Sequence, residues 1–367
     1  MALFKKLFSK SSKTKTHKGF YEIPVLNIEK LTSDTVKVTL DIPAELKNEF
    51  NFKPGQYLDF NVELNGKDVR RSYSICSGIN EPIAVAVKEV AKGTLSKWFN
   101  NEVAVGDVIT VSHPMGTFSI PENAKKIVAI AAGSGITPIM AFAKDIEAKG
   151  NSLELFFGNR TEDNILFRYE IDALKHTKAT YFLSGEEKDG FVSGRINTTT
   201  FSILVKEHLE MLKADAFVLC GPEQMIAEVS DVLKMFGVSE DKINYELFTT
   251  PVLLKSKTEI IENKLEGEAK VTVILDDEKT EFNLAADGIA VLDKANNDGL
   301  DKANNDGLDA PYSCRGGVCG SCRAKVIQGS CSMTMNYSLT DKEVEEGYIL
   351  TCQAHPSSSE VVISYDA

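Results

Sequence analysis

Four of the seven cysteines in this chain of 367 residues have a spacing that can hold an iron–sulfur cluster. Cys314, Cys319 and Cys322 follow one another as C-x4-C-x2-C, and twenty-nine residues separate Cys322 from Cys352. This spacing is one by which [2Fe–2S] clusters are ligated, and such clusters need four thiolates in a tight loop whose amide groups point at the sulfurs. Glycine permits that close backbone approach. The loop contains three glycines: Gly316, Gly317 and Gly320.

Two alternatives to this ligand set stay open. A structural zinc site normally has two close pairs of ligands, whereas Cys319 and Cys322 form the one close pair here. The fourth cluster ligand could also be Cys331, which lies nearer in sequence to the other three than Cys352 does. We prefer Cys352, because residues 348–354 have the pattern of a turn that returns a strand to the site.

A second candidate binding feature is a glycine-containing turn in the middle of the chain. The apolar run 126–131 is followed by Gly133-Ser-Gly135 and by a helix beginning near Pro138, a residue type that suits a first helical turn. The turn is not the G-x-G-x-x-G fingerprint, because Pro138 stands at its third glycine position. Residues 122–250 alternate strands with helices, which predicts a parallel, doubly wound α/β sheet with ligands at the C-terminal strand ends.

Other zones must position these features. Residues 20–121 contain short alternating strands separated by turns, which is typical of an antiparallel barrel or sandwich. Residues 251–268 lack a clear period and are interpreted as a linker, and residues 269–367 form the zone with the cysteine cluster. Within that zone the eight-residue segment 293–300 recurs identically as 301–308. The chain is therefore expected to fold as three domains.

The charge balance limits the partners of the chain. Lys and Arg number 41 and Asp and Glu 53, so the net charge is −12, which disfavours nucleic acid as the main partner. Residues 1–19 form a basic tail, interpreted as solvated, with contact to a membrane left open. We expect no secretory signal and no transmembrane segment, since glycines and a proline interrupt the uncharged run 127–143. These features predict a cytoplasmic protein with reduced thiols.

The cysteine-rich segment PYSCRGGVCGSCRAKV, followed by GYILTCQA, resembles a plant-type ferredoxin domain. The resemblance covers nearly all of the last hundred residues. It implies an α+β (β-grasp) domain that holds a [2Fe–2S] cluster through Cys314, Cys319, Cys322 and Cys352.

The segment Arg71-Ser-Tyr-Ser74 follows a barrel-type strand, with Pro54-Gly-Gln-Tyr57 upstream and Gly93-Thr-Leu-Ser96 downstream. This arrangement resembles the FAD-binding β-barrel domain of the ferredoxin–NADP reductase superfamily. The resemblance implies that FAD is a cofactor of the chain and that it binds to this domain.

Individual roles in the flavin site follow from the same resemblance. Arg71 would neutralise the pyrophosphate, Tyr73 would pack on the isoalloxazine and ribityl region, and Ser74 would approach the reactive flavin nitrogen. Lys88 would flank the flavin. Backbone amides at the start of a helix, where the helix dipole favours anions, would be those of Gly93, Thr94, Leu95 and Ser96.

Two segments of the α/β zone resemble the nicotinamide-dinucleotide motifs of the same superfamily, namely residues 133–138 and residues 220–225. By this resemblance Gly133 and Gly135 let backbone amides reach the pyrophosphate, and Thr137 lies between nicotinamide and flavin. The edge of the nicotinamide would be lined by Cys220, Gly221 and Pro222. An ordinary buried thiol remains the alternative for Cys220.

The C-terminal end of the α/β zone carries Glu246 and Phe248, which by resemblance cover the flavin face where nicotinamide stacks. A strand-end phenylalanine that belongs to the core is the alternative for Phe248. Arg160 is a candidate ligand of the 2′-phosphate of NADPH. Because Ser184-Gly-Glu186 lacks the arginine that some NADPH-using relatives place there, NADH remains the alternative coenzyme.

Flavin, nicotinamide and iron–sulfur modules in one chain imply a converter between a hydride donor and a one-electron acceptor. The order of the modules, with GQYLDF, VRRSYSICSG and GNRTEDNILFR, most resembles the reductase subunits of phenylacetyl-CoA epoxidases. The resemblance implies a di-iron oxygenase partner in phenylacetate breakdown. Reductases of other oxygenases, of acyl desaturases or of the hybrid-cluster protein are the alternatives, and an iron–sulfur redox sensor is the alternative of a different class.

Overall fold

The computed structural model describes residues 20–254, 265–298, 308 and 310–367. Three parts of the sequence interpretation therefore lie outside the described residues, in whole or in part. They are the basic tail 1–19, the middle of the linker at 255–264, and residues 299–307 of the duplicated segment.

The N-terminal domain is built on a six-stranded antiparallel sheet. The order of its strands is β4-β3-β6-β1-β2-β5, and an antiparallel bridge from Ile75 to Val85 joins the two outer strands and closes the sheet. The predicted antiparallel barrel is confirmed. Its elements are β1 (Phe20–Thr32), β2 (Thr35–Leu40), β3 (Tyr57–Leu64), β4 (Lys67–Ser74), β5 (Ala84–Lys88), α1 (Thr94–Asn101) and β6 (Val108–Ser112).

Alternating residues of the barrel strands fill its interior. In β2 the side chains of Val36, Val38 and Leu40 are buried, whereas Lys37 and Thr39 between them are only partly buried. Helix α1 packs against β4 and β5 and inserts Leu95 and Phe99 into the same core. The helix is thus fixed at the end of the barrel where β4 terminates.

The second domain is a parallel sheet in the order β10-β9-β8-β7-β11-β12, which confirms the predicted doubly wound α/β class. Adjacent residues of its strands enter different cores: Phe157 packs on one face of the sheet and Phe156 on the other. Its elements are β7 (Lys126–Ala132), α2 (Ile136–Lys149), β8 (Ser152–Asn159), α3 (Arg168–Asp172), β9 (Thr177–Leu183), β10 (Val192–Ser193), α4 (Thr198–Glu207), β11 (Ala216–Cys220), α5 (Glu223–Met235) and β12 (Ile243–Glu246).

Helix α3 has five residues, because Phe167 directly before it has a left-handed φ of 59° and cannot extend the helix backwards. One local expectation differs from the structure. Residues 71–74 do not follow a strand but form the end of β4 itself. The alternation of β4 therefore decides which of these side chains faces the barrel interior.

The C-terminal domain has a five-stranded mixed sheet in the order β14-β13-β19-β15-β17, with a separate β16–β18 pair. At its centre β13 pairs with β19 in parallel, and helix α6 packs against β14 and β18. This arrangement confirms the predicted α+β class. Its elements are β13 (Glu268–Leu275), β14 (Glu278–Ala285), α6 (Val291–Asp298), β15 (Arg323–Gln328), β16 (Cys331–Met333), α7 (Asp341–Glu345), β17 (Tyr348–Leu350), β18 (Ala354–Pro356) and β19 (Glu360–Ser364). In the part of the chain that the structure describes, no helix combines the length and apolar character needed to cross a bilayer.

Candidate functional site

The four cysteines of the C-x4-C-x2-C…C pattern stand as two pairs. Cys314 and Cys319 share a hydrogen bond in the loop that precedes β15, and Cys322 shares one with Cys352 in the turn between β17 and β18. The hydrogen bond from Cys319 lowers the pKa of the Cys314 thiol to about 6. In the same way Cys322 lowers the pKa of Cys352.

Donors from the loop converge on these sulfurs. The amide of Gly316 lies 3.3 Å from Cys314 Sγ, the amide of Cys314 lies 3.4 Å from Cys319 Sγ, and the Ser321 hydroxyl lies 3.1 Å from that same sulfur. Hydrogen bonds to sulfur stabilise thiolate charge and tune a cluster. The loop can curve around the sulfurs because Gly317 and Gly320 have φ of 73° and 75°.

The two-and-two arrangement suits a binuclear cluster, in which each iron takes two protein ligands. Among the described residues, no group of three or more His, Cys, Asp or Glu side chains is arranged to hold a single metal ion. Cys331 lies on β16, where it pairs in register with Pro356, and burial raises the pKa of its thiol to about 12. The structure thus brings Cys352, and not Cys331, to Cys322.

The candidate flavin residues gather where β4 ends. Tyr73 is half-buried, edge-on to Phe60 and Phe99 at ring distances of 5.7 and 5.6 Å, and Ser74 is buried. Arg71 is exposed, and its Nη1 donates to the carbonyl of Arg70 at 2.6 Å. The site therefore offers an exposed cation and, two residues further along β4, an aromatic ring packed on the barrel core.

Two other parts of the predicted flavin site adjoin β4. Lys88, at the end of β5, lies 3.4 Å from Asp34 Oδ2, so its charge is shared with that carboxylate. At the start of α1, a Cβ on Gly93 would come within 2.4 Å of Ser96 Oγ, which itself accepts from the Val90 amide at 3.1 Å.

At the start of α1 the side chains of Leu95 and Ser96 are buried and that of Thr94 is exposed. The first backbone amides of the helix, including that of Thr94, have no partner within the helix. These features fit a dinucleotide phosphate: backbone amides at a helix start, a glycine where no Cβ fits, and an arginine on β4.

The candidate nicotinamide residues meet where β7 and β11 end side by side. Gly133–Gly135 forms a short 3-10 turn before α2, and a Cβ on Gly135 would stand 2.2 Å from the carbonyl oxygen of Cys220. The neighbouring segment Gly221-Pro222 leads into α5. Chain order reverses between β7 and β11, and ligands of doubly wound sheets bind at such a point. The residues present therefore fit a bound dinucleotide.

Side chains from both domains meet at this crevice. Thr137 is buried and donates to the Ser134 carbonyl at 3.0 Å. Ser74 Oγ lies 3.3 Å from Glu246 Oε2, and Glu246 is the register partner of Cys220 on the adjacent strand. Phe248 follows β12 with 44% of its surface exposed, so it does not belong to the core.

Burial changes the acidity of the two titratable groups in the crevice. It raises the pKa of Glu246 to about 8, against the lowering effect of the hydrogen bond from Ser74. Burial is also the main reason that the pKa of Cys220 is raised, with the charge of Glu246 adding to it. Near neutral pH the Glu246 carboxyl therefore holds a proton, and the Cys220 thiol is uncharged.

The loops after β8 and β9 form an acidic neighbourhood around Arg160. The Gly185 amide donates to the Arg160 carbonyl at 2.7 Å, and Glu186 Oε1 accepts from the amide of Glu162 at 2.6 Å. Lys188 forms an ion pair with Glu162. Further acidic residues in these two loops are Asp163, Glu187 and Asp189.

All three domains line one cleft of about 1510 Å³. Tyr57 of the barrel, Glu246 of the α/β domain and Cys319 of the cysteine loop are among its walls. The Tyr57 hydroxyl donates to the Cys319 carbonyl. Sequence reasoning missed the contribution of Asp59 and Ser72 to this junction, although polar side chains at alternate positions of two barrel strands were a signal of it.

Three family descriptions match consecutive parts of the chain. Residues 22–120 match an oxidoreductase FAD-binding domain, residues 129–231 an oxidoreductase NAD-binding domain, and residues 273–357 a 2Fe-2S iron-sulfur cluster binding domain. Each match falls on one of the three sheets described above.

Curated relatives and solved structures are similar over nearly the whole length. The chain is 34% identical to a subunit of the 1,2-phenylacetyl-CoA epoxidase of Escherichia coli (strain K12), covering 95% of this chain and 98% of the relative. It is 30% identical to the ferredoxin reductase component of 3-ketosteroid-9-alpha-monooxygenase of Mycolicibacterium smegmatis, covering 94% and 97%. Phthalate dioxygenase reductase has the same fold, with a TM-score of 0.56, 23% identity and coverage of 94% and 98%.

Proposed function

Because the chain belongs to the family of oxygenase reductase components that join FAD-binding, NAD-binding and [2Fe–2S] domains, we propose that it supplies electrons to the di-iron oxygenase component of a phenylacetyl-CoA epoxidase. The chain is an NAD(P)H oxidoreductase with FAD and a [2Fe–2S] cluster as cofactors. The partner rests on the 34% identity with one component of such an epoxidase over 95% of the chain.

The observation that carries the electron-transfer part of this proposal is the contact of the barrel with both other domains, through Ser74 and Glu246 and through Tyr57 and Cys319. FAD and the cluster, when bound, supply the conversion of a two-electron hydride donor into a one-electron donor. The chain orients the reactants: the Gly133–Gly135 turn and the β11 end seat the dinucleotide, and Ser74 and Glu246 stand where its reactive end would reach the barrel. Hydride transfer needs alignment within about 3–3.5 Å rather than a general base.

The neutral state of Glu246 suits this task. An ionised carboxylate at the crevice would attract the positive charge that the nicotinamide ring gains when it gives up hydride, and would so hold back the oxidised coenzyme. A protonated carboxyl still accepts from the Ser74 hydroxyl and can hold a proton near the flavin site. We therefore assign Glu246 and Ser74 to the orientation of the reacting rings, with Thr137, Cys220 and Phe248 as their neighbours.

The charges around Arg160 support NADH as the preferred coenzyme. A 2′-phosphate adds a double negative charge and needs cationic partners. The carboxylates of Glu162, Asp163 and Glu186 stand in the same two loops as Arg160. The carboxylate of Glu162 is paired with Lys188. Repulsion from Asp163 and Glu186 is therefore what opposes the contribution of Arg160.

Reconstitution tests the proposed partner. The purified holoprotein is mixed with the oxygenase component of a phenylacetyl-CoA epoxidase, NADH and phenylacetyl-CoA, with catalase present, and epoxide is measured against coenzyme consumed. We expect epoxide in proportion to NADH oxidised. Ready reduction of cytochrome c together with no epoxide would reject this oxygenase and leave another oxygenase, a desaturase or the hybrid-cluster protein as the acceptor.

The redox-sensor alternative is tested by the same mixture. A sensor whose turnover is incidental would reduce neither cytochrome c nor the oxygenase at a useful rate. The Cys352→Ser variant serves as the control, since it should retain reduction of ferricyanide by flavin and lose transfer to the oxygenase.

A further inference from the structure

The outer face of strands β3 and β4 is polar, and two of its side chains are buried. Asp59 pairs in register with Ser72, and Asn61 with Arg70, so these four side chains share one face of the hairpin. Asp59 and Arg70 are exposed by 1% and 3%. An outer barrel face normally meets water, so something must cover this one.

The cover is the loop that carries the cluster cysteines. On β3, the Tyr57 hydroxyl donates to the carbonyl of Cys319. On β4, the Ser72 hydroxyl donates to Asp59 Oδ1 at 2.5 Å and lies 2.9 Å from the hydroxyl of Ser313, which can donate to it. Both contacts reach a cluster ligand or the residue directly before one.

A third contact lies beside these two. The guanidinium of Arg70 lies 5.3 Å from the ring centre of Tyr312 and 5.6 Å from that of Phe20. A cation between two aromatic faces, removed from water, is held firmly. Tyr312 and Ser313 are consecutive and precede Cys314, so β4 contacts the loop immediately before its first cysteine ligand.

The opposite alternation of β4 points to the flavin site. Tyr73 contacts the barrel aromatics Phe60 and Phe99, and Arg71 is exposed. These two residues alternate along β4 with Arg70 and Ser72, whereas Ser74 at the strand end shares the face of Ser72. Because one strand carries residues of both cofactor sites, the distance between those sites is a property of a rigid element rather than of a flexible connection.

We propose that Tyr57, Ser72 and Arg70 are positioning residues that seat the cluster loop on β3 and β4 for electron transfer from the flavin. The inference rests on the proposed function. The transfer moves single electrons, both supplied as hydride by NAD(P)H, and makes or breaks no bond in the loop. Asp59 contributes by fixing the orientation of the Ser72 hydroxyl.

Stopped-flow reduction by NADH tests the proposal in the holoprotein. The variants are Tyr57→Phe, Ser72→Ala and the two combined, with Tyr169→Phe as a matched control because Tyr169 is 90% exposed. We expect the rate of flavin bleaching to stay within about twofold of wild type in the double variant, and the rate of cluster reduction to fall by about tenfold or more.

Hydrogen exchange gives a second readout that does not depend on turnover. In the double variant, amides of residues 312–322 should exchange faster than in wild type, whereas those of β13 should not change. A double-mutant cycle of Ser72→Ala with Ser313→Ala should give a combined effect smaller than the sum of the single effects, since both remove one contact.

The outcomes separate this inference from the proposed function. If wild-type protein passes no electrons from NADH to the cluster, the proposed function fails. If wild type does so and the double variant, with full FAD and iron content, matches it in cluster reduction and exchange, the inference is overturned. If the double variant loses its cluster, the Ser313→Ala variant is measured instead, because it removes the contact between Ser72 and Ser313 from the side of the loop. Wild-type cluster reduction and exchange in Ser313→Ala would equally overturn the inference.

Discussion

The hydroxyl of Ser74 and the carboxyl of Glu246 meet across the boundary of two domains, with 3.3 Å between Oγ and Oε2. Ser74 ends a barrel strand, and Glu246 ends a strand of the parallel sheet. We propose that flavin and nicotinamide stack at the same boundary. The contact therefore ties the relative placement of the two nucleotide sites to two side chains, one of them a carboxyl whose pKa burial raises to about 8.

The first prediction concerns stability as a function of pH. The native state keeps a proton on Glu246 up to about pH 8, whereas the unfolded chain releases it near the ordinary value of 4.5. Stability from this group is present below the lower value and is lost as pH rises to the upper one. Glu246→Gln should thus unfold at the wild-type temperature at about pH 5 and several degrees higher at about pH 9. The difference in melting temperature between the two proteins is measured by thermal unfolding from about pH 5 to about pH 9.

The control for this prediction is Glu207→Gln, which removes a carboxylate from the exposed end of α4. It should shift the melting temperature equally at both pH values. A Glu246→Gln protein whose advantage does not grow with pH would contradict the raised pKa.

A second prediction concerns the close approach of α2 to β11. In Gly135→Ala the new methyl group would lie 2.2 Å from the Cys220 oxygen, a backbone atom that cannot rotate away, so the crevice must open. We expect flavin reduction by NADH to slow by about a hundredfold while FAD stays bound. Gly150→Ala, at the other end of α2, meets nothing within 4 Å but has φ 66°; it should cost about 1 kcal/mol of stability and leave flavin reduction unchanged.

The third prediction distinguishes the cluster ligands from the remaining thiols. Cys352→Ser should remove the visible absorption and the iron of the cluster, because it leaves Cys322 without its paired sulfur. Cys331→Ser, on β16, should retain both. Iron analysis and electron paramagnetic resonance of the reduced proteins measure whether the cluster is present. If Cys331→Ser loses the cluster and Cys352→Ser keeps it, Cys331 rather than Cys352 is the fourth ligand.

A fourth prediction concerns the coenzyme. We expect kcat/KM for NADH to exceed that for NADPH by about tenfold or more, a difference of about 1.4 kcal/mol. Glu186→Gln keeps an oxygen that can accept the Glu162 amide and removes one charge, so it should raise kcat/KM for NADPH several-fold with little change for NADH. A wild-type preference for NADPH would show that Arg160 outweighs its acidic neighbours.

How much the sequence could reveal depended on the range of the interactions. The candidate ligands Cys314, Cys319 and Cys322 share one loop, and the glycines before α2 share one turn, so spacing alone points to these two groups of residues. The Ser74–Glu246 contact joins residues 172 positions apart, and resemblance alone pointed to both. The position of residues 71–74 inside β4 depends on pairing with β3, which local pattern cannot supply.

Other features required knowledge of what covers a surface. Asp59 and Ser72 sit at solvent-side positions of an alternating pattern, and such residues are usually exposed. Asp59 is buried and Ser72 half-buried because both are covered by a domain more than two hundred residues later in the chain. Similarly, α3 is short because Phe167 adopts a left-handed conformation. A left-handed conformation can be expected from the sequence at glycine or asparagine, but rarely at phenylalanine.

The most direct test of the account is anaerobic reduction of the purified holoprotein by a single equivalent of NADH, followed by absorbance and electron paramagnetic resonance. We predict rapid bleaching of the flavin bands, then slower loss of cluster absorption with the appearance of a reduced-cluster resonance, and preservation of the first phase alone in Cys352→Ser. Bleaching of the flavin with no reduction of the cluster on any accessible timescale would contradict the account.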